Sequence, residues 1–208
     1  MRTTIYVDGF NLYYGCLKNT DYKWLNLEVL FSNILKNHHS IDRICYFAAR
    51  LKTSPHDPNA HLRQMAYLNV LESLPNLEVI YGRFVRNNVR MPLVTPPPKT
   101  VEVIKTEEKG SDVNFSVHLL NDAWKGRYEC AVLVTNDSDM AEAMRLVKSQ
   151  FPKKKLGLIT PRGRPTPELE QYADVKKTIR GHALRAAQFS DPVQRPRSKK
   201  DIHKPPNW

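Results

Sequence analysis

Short apolar runs rich in β-branched residues alternate with segments of helical spacing along most of this chain. Strands are predicted at residues 3–7, 41–49, 77–81, 130–135 and 155–160, with a last short strand at 175–179. Consecutive parallel strands need a crossover, which is usually a helix. The alternation therefore predicts an α/β fold, with a central mainly parallel sheet, helices on both faces and right-handed crossovers.

The intervening segments are expected to form amphipathic helices. Their apolar spacing places helices at 27–37, 59–73, 107–124, after residue 139 and at 168–172. The second helix is expected to bury Leu62, Met65, Ala66, Leu68 and Leu71. The third is expected to bury Val113, Val117, Leu120 and Trp124, and the fourth Met140, Met144 and Val147.

Residues 82–107 interrupt the alternation. This segment combines several basic residues with the triple proline at 96–98 and an extended run after residue 100. It is expected to form an irregular hairpin that leaves and rejoins one domain. Two interpretations are equally open: a groove for a phosphate backbone, or a solvated surface loop.

The charge balance is strongly basic. The 208 residues contain 32 Lys and Arg against 21 Asp and Glu, a formal charge of +11. This favours polyanions such as nucleic acid, or an anionic membrane surface. We expect one domain over 1–190 and a basic flexible tail over 191–208. The tail accounts for part of the charge, through Arg195, Arg197, Lys199, Lys200 and Lys204.

Several classes of protein lose support from the sequence. The polar residues Asp8 and Asn11 come too early for a signal peptide, and the apolar runs are too short to span a bilayer. We therefore expect a cytoplasmic protein without membrane association. The three separated cysteines favour buried thiols over a disulfide or a zinc site. The GxGxxG and GxxxxGK[ST] fingerprints of nucleotide binding are absent.

Carboxylates stand where predicted strands end and where a predicted helix begins. Asp8 follows the first strand, Asp137 and Asp139 follow the strand at 130–135, and Asp112 opens a helix. If these two strands are neighbours, the acids meet at one edge of the sheet. Such carboxylates repel one another unless a divalent cation lies among them, and oxygen ligands suit Mg²⁺ or Mn²⁺. A site of this kind supports phosphodiester hydrolysis by a metal-activated water.

Helix capping is the alternative explanation for each acid. Acidic residues at helix N-termini are stabilised by roughly 0.3–1 kcal/mol through the helix dipole alone. Capping explains Asp112, Asp137 or Asp139 singly as well as a metal site does. The joint placement of Asp8, Asp112 and Asp137 at three junctions is harder to attribute to capping.

Three blocks, at 6–11 (YVDGFN), 108–113 (EKGSDV) and 135–139 (TNDSD), resemble the three motifs of the NYN domain, a branch of the PIN-like nucleases. The resemblance spans residues 3–160 and implies a PIN-like three-layer α/β/α sandwich that cleaves RNA, often single-stranded, with a divalent metal. Carried over by motif, Asp8, Asp112 and Asp137 would be the central catalytic, metal-holding acids, with Asp139 the fourth.

The resemblance also implies supporting roles. Asn11 would orient the first motif or the scissile phosphate, while Asn136 and Ser138 would shape the third motif. PIN-like enzymes commonly carry a further acid on an early helix, for which Glu28 and Glu72 are loose candidates and Glu108 a substitute. Three basic residues are expected either to hold flanking phosphates or to be ordinary surface charges: Arg50, Lys105 and Lys109.

The leading hypothesis is a Mg²⁺- or Mn²⁺-dependent endoribonuclease acting on single-stranded or structured RNA. One alternative is an RNA-binding module without turnover. Another is a small-molecule enzyme on the same scaffold, either a phosphatase or an enzyme of N-heterocycle degradation, although no flavin or nicotinamide fingerprint supports redox chemistry. RNA is the favoured partner, but phosphate contacts do not distinguish RNA from DNA. The oligomeric state stays open, with a homodimer among the alternatives.

Overall fold

The structure is a computed structural model that describes residues 1–54, 57–194, 200–206 and 208. In chain order its elements are β1 (Arg2–Asp8), α1 (Gly9–Leu12), α2 (Leu27–Ile34), β2 (Ser40–Ala48), α3 (Ala60–Leu71), β3 (Leu77–Tyr81), β4 (Arg83–Pro92), β5 (Thr100–Lys109), α4 (Ser111–Trp124), β6 (Cys130–Val134), α5 (Ala141–Gln150), β7 (Lys155–Thr160), α6 (Pro167–Glu170), β8 (Val175–Thr178) and α7 (Gly181–Ala186). A π-helical turn, Tyr13–Leu17, follows α1, and a 3-10 turn, Ser138–Met140, precedes α5.

The central sheet is parallel and runs in the order β3-β2-β1-β6-β7-β8. Strand β1 pairs with β2 on one side, where Asp8 is opposite Phe47, and with β6 on the other, where Val7 is opposite Val134. The first strand and the strand at 130–135 are thus neighbours, as the convergence of the acids requires. The strand order reverses between β1 and β6, and ligands of open α/β sheets bind at such a switch point.

Two apolar cores cover the two faces of the sheet. Alternate residues of β1 serve different cores, because successive side chains of a strand point to opposite faces. Ile5 and Val7 belong to the core under α2, α3 and α7, whereas Tyr6 belongs to the core under α4 and α5. The predicted α/β/α sandwich, PIN-like in its layers, is confirmed.

Two predicted helix faces are wrong. In α3, Leu62 and Met65 are exposed, and the buried residues include Tyr67 and Val70 beside the expected Leu68 and Leu71. In α4, Val113, Val117 and Trp124 are exposed and Leu120 is only partly buried. The helix instead buries Ser111, Phe115, Leu119, Asp122 and Ala123.

Polar contacts explain the orientation of α4. The buried carboxylate of Asp122 accepts a hydrogen bond from Tyr6 Oη at 2.8 Å and pairs with Arg43 at 2.8 Å. A buried carboxylate needs such partners, so the face that carries Asp122 turns inward. Apolar spacing alone gives no sign of this. By contrast, Met140, just before α5, and Met144 and Val147 within it are buried as predicted.

The segment that interrupts the alternation forms a long hairpin. Strands β4 and β5 pair antiparallel over ten residue pairs, from Arg83 opposite Lys109 to Pro92 opposite Thr100. A hairpin was predicted here, and its pairing is more regular than expected. At its base, the Phe84 ring packs against the Phe10 ring with centroids 5.8 Å apart. The hairpin therefore starts beside the end of β1.

Described residues after Ser190 contact the rest of the chain. Val193 and Ile202 pair through two backbone hydrogen bonds of 2.9 and 3.0 Å, and the Trp208 ring lies 6.0 Å from the Tyr67 ring. Of the predicted tail cations, Arg195, Arg197 and Lys199 lie outside the described residues. The division into a domain over 1–190 and a flexible tail over 191–208 stays a prediction.

The cysteines behave as predicted, because Cys45 and Cys130 are buried and all three, including the half-buried Cys16, are free thiols. Within the described ranges, no helix has the length and apolarity needed to cross a membrane.

Candidate functional site

Asp8 ends β1 at the switch point of the sheet. Its carboxylate accepts hydrogen bonds from the backbone N–H of Asn11 at 2.9 Å and from Thr135 Oγ1 at 3.1 Å. The chain turns at once into α1, so close to β2 that a Cβ on Gly9 would lie 2.7 Å from the Phe47 carbonyl oxygen. Only glycine therefore fits directly after this acid.

Asp137 follows β6, the neighbouring strand. It caps the 3-10 turn, and its carboxylate accepts a hydrogen bond from the Asp139 N–H at 3.0 Å. Its own N–H donates to Thr135 Oγ1 at 3.1 Å. Because the Thr135 hydroxyl also donates to the Asp8 carboxylate, one threonine links that carboxylate to the backbone of Asp137.

The amide side chains of the first and third motifs link these strand ends. Asn11 Oδ1 accepts a hydrogen bond from the Asn136 N–H at 3.0 Å. The Asn136 side chain donates to the Arg164 carbonyl at 3.2 Å and accepts from the Thr166 N–H at 3.1 Å. Asn11 thus orients the first motif against the third, and Asn136 holds the loop after β7. Ser138 is exposed in the 3-10 turn.

Asp112 reaches the site from the first turn of α4. The helix begins after Gly110, whose φ of 99° favours glycine. Glu108 caps it, because Glu108 Oε1 accepts hydrogen bonds from the Ser111 N–H at 3.1 Å and Ser111 Oγ at 2.7 Å. Asn114 donates to the Tyr81 carbonyl at 3.3 Å. The helix start is therefore anchored to the end of β3.

Together these elements bring three carboxylates into one group. Oxygen atoms of Asp8, Asp112 and Asp137 all lie within 4.8 Å of one another. None of the three forms a salt bridge with a described basic residue. Asp139 contributes its backbone N–H, while its side chain is exposed and outside the group. The fourth-ligand role of Asp139 stays a prediction.

Burial and mutual repulsion make the ionised form of the group costly. The pKa of Asp8 is raised to about 6, mainly by burial and also by the charges of Asp112 and Asp137, although the hydrogen bonds from Asn11 and Thr135 lower it. Burial, then Asp137, Glu108 and Asp139, raise the pKa of Asp112. A divalent cation relieves this repulsion, and an all-oxygen donor set fits Mg²⁺ or Mn²⁺.

Among the candidates for a further acid, Glu108 lies beside the group, since its charge raises the pKa of Asp112. Glu72 accepts a hydrogen bond from the Tyr81 hydroxyl at 2.6 Å. Glu28 lies in the first turn of α2.

The expected phosphate-binding cations have partners of their own. Arg50 lies over the Tyr81 ring at 4.6 Å from its centroid. Lys105 and Lys109 both pair with Glu107, at 2.5 and 3.4 Å, and thereby lower the pKa of Glu107. Their phosphate-binding roles stay predictions.

Thr135 is a functional candidate that sequence reasoning missed. Thr135 is the first residue of the third motif, and it has no separate role among the sequence-based predictions. The signal available was its position, one residue after the strand and two before Asp137, where threonine hydroxyls commonly bond to nearby backbone N–H groups. Its bond to Asp8, 127 positions away in the chain, had no local signal.

Comparisons with known proteins place the chain in a family. Residues 2–179 match the family model described as the NYN domain. The 6-hydroxy-3-succinoylpyridine 3-monooxygenase HspA of Pseudomonas putida is 33% identical over 187 residues, covering 77% of this chain and 60% of that protein. The chain thus spans less than two thirds of that relative's length.

The fold has a counterpart among solved structures. The crystal structure of a protein of unknown function from Vibrio parahaemolyticus superimposes with a TM-score of 0.57 at 17% identity, over 90% of this chain and 96% of the other. At this identity the similarity concerns the fold alone.

Proposed function

The chain belongs to the NYN domain family, a nuclease-like family, and on that premise we propose that it is a Mg²⁺- or Mn²⁺-dependent endoribonuclease acting on single-stranded or structured RNA. The observation that supports this best is the group formed by Asp8, Asp112 and Asp137, whose oxygens lie within 4.8 Å of one another.

In this proposal the three carboxylates hold the metal, and Asp139 is the fourth acid. A bound Mg²⁺ or Mn²⁺ would activate a water and stabilise the attacking and leaving oxygens of an in-line displacement. Thr135 keeps Asp8 and Asp137 in place by its two hydrogen bonds. Asn11 Oδ1 already accepts a hydrogen bond from the Asn136 N–H, so Asn11 is assigned the role of a positioning residue.

The surrounding cations are proposed to hold the phosphates that flank the scissile bond. Arg50 lies two residues after β2, while Lys105 and Lys109 lie on β5. Ser138 is proposed to contact the substrate because it is exposed between Asp137 and Asp139. The formal charge of +11 fits a polyanionic partner.

The test is cleavage of labelled single-stranded RNA with Mn²⁺ or Mg²⁺, run beside an EDTA control. We expect cleavage by the wild type, its loss in EDTA, and its loss in Asp8→Asn and Asp137→Asn, since each removes a negatively charged ligand. Asp21→Asn is the matched control, because Asp21 is exposed and outside the group. Undiminished cleavage by both variants would make the proposal wrong, whereas tight RNA binding without cleavage would favour an RNA-binding module.

A second candidate is oxidation of a nitrogen heterocycle. It is favoured by the 33% identity to a protein named as a 6-hydroxy-3-succinoylpyridine 3-monooxygenase. Incubation with that pyridine, O₂ and an external reductant tests it by following substrate loss. Turnover of the pyridine without RNA cleavage would replace the nuclease proposal.

A further inference from the structure

A cavity of about 290 Å³ lies on the α3 side of the sheet, near the three carboxylates of Asp8, Asp112 and Asp137, which we call the acid group. Its wall includes Gly9, the residue directly after Asp8, and Ala48 at the end of β2. Six aromatic side chains contribute to the lining: Phe10, Tyr13, Tyr14, Tyr46, Tyr67 and Trp208. We call this space the aromatic cavity. It is close to the volume of a small-ligand pocket, for which about 300 Å³ is the lower end.

Tyr46 presents an unpaired polar group at this cavity. Its side chain is buried, with 6% of its surface exposed. Its hydroxyl makes no hydrogen bond to any described residue, unlike Tyr67, whose hydroxyl donates to the Leu25 carbonyl at 2.9 Å. The hydroxyl oxygen is not among the enclosed, partnerless side-chain atoms of the described ranges, so it is accessible, and a ligand or water in the cavity can serve as its partner.

The Tyr46 hydroxyl also lies close to the backbone that follows Asp8. A Cβ on Gly9 would be 2.8 Å from Tyr46 Oη, so the hydroxyl sits directly over the residue that follows Asp8. Burial and the charge of Asp8 raise the pKa of Tyr46. The phenol therefore stays protonated and can donate a hydrogen bond.

The rim of the cavity is cationic. Lys18 lies over the Tyr14 ring at 5.0 Å from its centroid, and Lys23 also lines the cavity. Neither lysine has a carboxylate partner in the described ranges, whereas Arg63 is paired with Asp57. Unpaired cations at the rim of an aromatic pocket suit a ligand that combines a ring with a negative charge.

We propose that the aromatic cavity binds the planar nitrogen-containing ring of an anionic ligand, with the ring stacked on its aromatic wall and hydrogen-bonded to the Tyr46 hydroxyl. Two sources share this chemistry: a base of the nucleic-acid strand whose phosphate lies at the acid group, or a free heterocyclic acid. With the first source the inference rests on the proposed nuclease and names its base subsite.

The test measures equilibrium binding in EDTA, so that it does not depend on cleavage. The probes are AMP, ribose 5-phosphate, which lacks only the base, and nicotinate, a free anionic pyridine. We expect AMP or nicotinate to bind about tenfold more tightly than ribose 5-phosphate, in line with base stacking on aromatic side chains. Tighter AMP binding identifies a strand base, and tighter nicotinate binding identifies a free ring.

Two variants locate the binding. Tyr46→Phe removes only the hydroxyl and keeps the packed ring, and Tyr14→Ala removes an exposed wall residue. Each should weaken binding of the preferred ring about fivefold and leave ribose 5-phosphate binding unchanged. Trp124→Ala is the control, because Trp124 is an exposed aromatic outside the cavity. Ring binding no tighter than that of ribose 5-phosphate, or equal in wild type and both variants, would overturn the inference, whether or not the protein cleaves RNA.

Discussion

At the scale of single residues, Asp8 combines two opposed demands. Two hydrogen bonds hold its carboxylate, yet burial next to Asp112 and Asp137 raises its pKa to about 6 from an ordinary value of 3.8. Without a cation, the ionised form of this group is therefore a source of instability. Candidate sites commonly carry such a cost, since the same arrangement prepares them for a ligand.

This cost predicts how metal-free stability depends on pH. Because the pKa of Asp8 is higher in the folded than in the unfolded protein, its protonation favours folding, and this contribution is lost as pH rises from about 4 through 6. Asp8→Asn should therefore raise the free energy of unfolding by about 2–3 kcal/mol at pH 7 in EDTA, and leave it unchanged near pH 3.5. Urea unfolding at both pH values measures this.

The control for this measurement is Asp21→Asn, which removes an exposed carboxylate outside the group. It should change the unfolding free energy little at either pH. Equal stability of wild type and Asp8→Asn at pH 7 would contradict the assigned cause, the burial and repulsion of the Asp8 charge.

At the scale of elements, the start of α4 decides where Asp112 lies. Gly82, just after β3, contacts this start so closely that an added Cβ would lie 2.8 Å from both the Lys109 carbonyl oxygen and Ser111 Oγ. The first of these atoms is backbone, and the second donates a hydrogen bond to the capping residue Glu108. A side chain at Gly82 must therefore displace the helix start.

Gly82→Ala should accordingly lower the free energy of unfolding by about 1–3 kcal/mol, as overpacking does, and weaken Mn²⁺ binding. Gly181→Ala is the matched control, because a Cβ at Gly181 meets no atom within 4 Å. Denaturant unfolding and Mn²⁺ titration measure the two effects. Unchanged Mn²⁺ affinity in Gly82→Ala would show that the helix start does not set the position of Asp112.

The hairpin β4–β5 has two unlike faces. Phe84, Arg86 and Arg90 alternate along β4 and so share one face, which meets Phe10 beside the acid group. Lys105 and Lys109 are opposite Asn87 and Arg83, on the other face, where both pair with Glu107. Arg86 and Arg90 form no salt bridge with described residues.

If RNA lies along the hairpin, the face with two unpaired cations, Arg86 and Arg90, should hold it more strongly than the face where Arg83 is the one cation without a salt bridge to a described residue. The double substitution Arg86→Ala and Arg90→Ala should weaken RNA binding. It should also reduce the slope of the log binding constant against log salt concentration by about 1–2, because fewer counterions are released with each lost phosphate contact. Lys105→Ala with Lys109→Ala is the matched pair and should have the smaller effect. A larger loss of binding in the lysine pair than in the arginine pair would place the RNA on the face of the hairpin that carries Glu107.

At the scale of the whole molecule, one buried acid joins the site helix to the sheet. Asp122, on α4, is fully buried and bonds to Tyr6 on β1, Arg43 on β2 and Arg127 after the helix. The carboxylate therefore ties both central strands to the helix that carries Asp112. Breaking a buried ion pair is costly because it leaves a polar group without its partner.

Asp122→Ala should lower the free energy of unfolding by about 3–5 kcal/mol, since the Tyr6 hydroxyl loses its hydrogen-bond acceptor and Arg43 loses its buried partner. Glu78→Ala is the control: Glu78 is half exposed and also pairs with Arg43, so its loss should cost no more than about 1 kcal/mol. Thermal and urea unfolding compare the two. Similar losses would mean that Asp122 does not anchor the helix.

Much of the architecture could be predicted because it depends on local pattern. Runs such as 130–135 can bury their side chains only as a central strand, and the helices between them force parallel pairing. The helix faces could not all be predicted. In α4, apolar residues occupy two stripes, and the bonds of Asp122 to the distant residues Tyr6 and Arg43 select the buried one.

The sequence by itself determined the parallel sheet, the hairpin and the positions of the acids at strand ends and at a helix start, because turn chemistry and apolar periodicity act over a few residues. Tertiary structure alone decided which acids meet. Asp8, Asp112 and Asp137 converge because β6 pairs beside β1 and the start of α4 is fixed against β3. The hydrogen bond of Thr135 to Asp8 and the unpaired hydroxyl of Tyr46 likewise arise from contacts between distant segments, which no local pattern encodes.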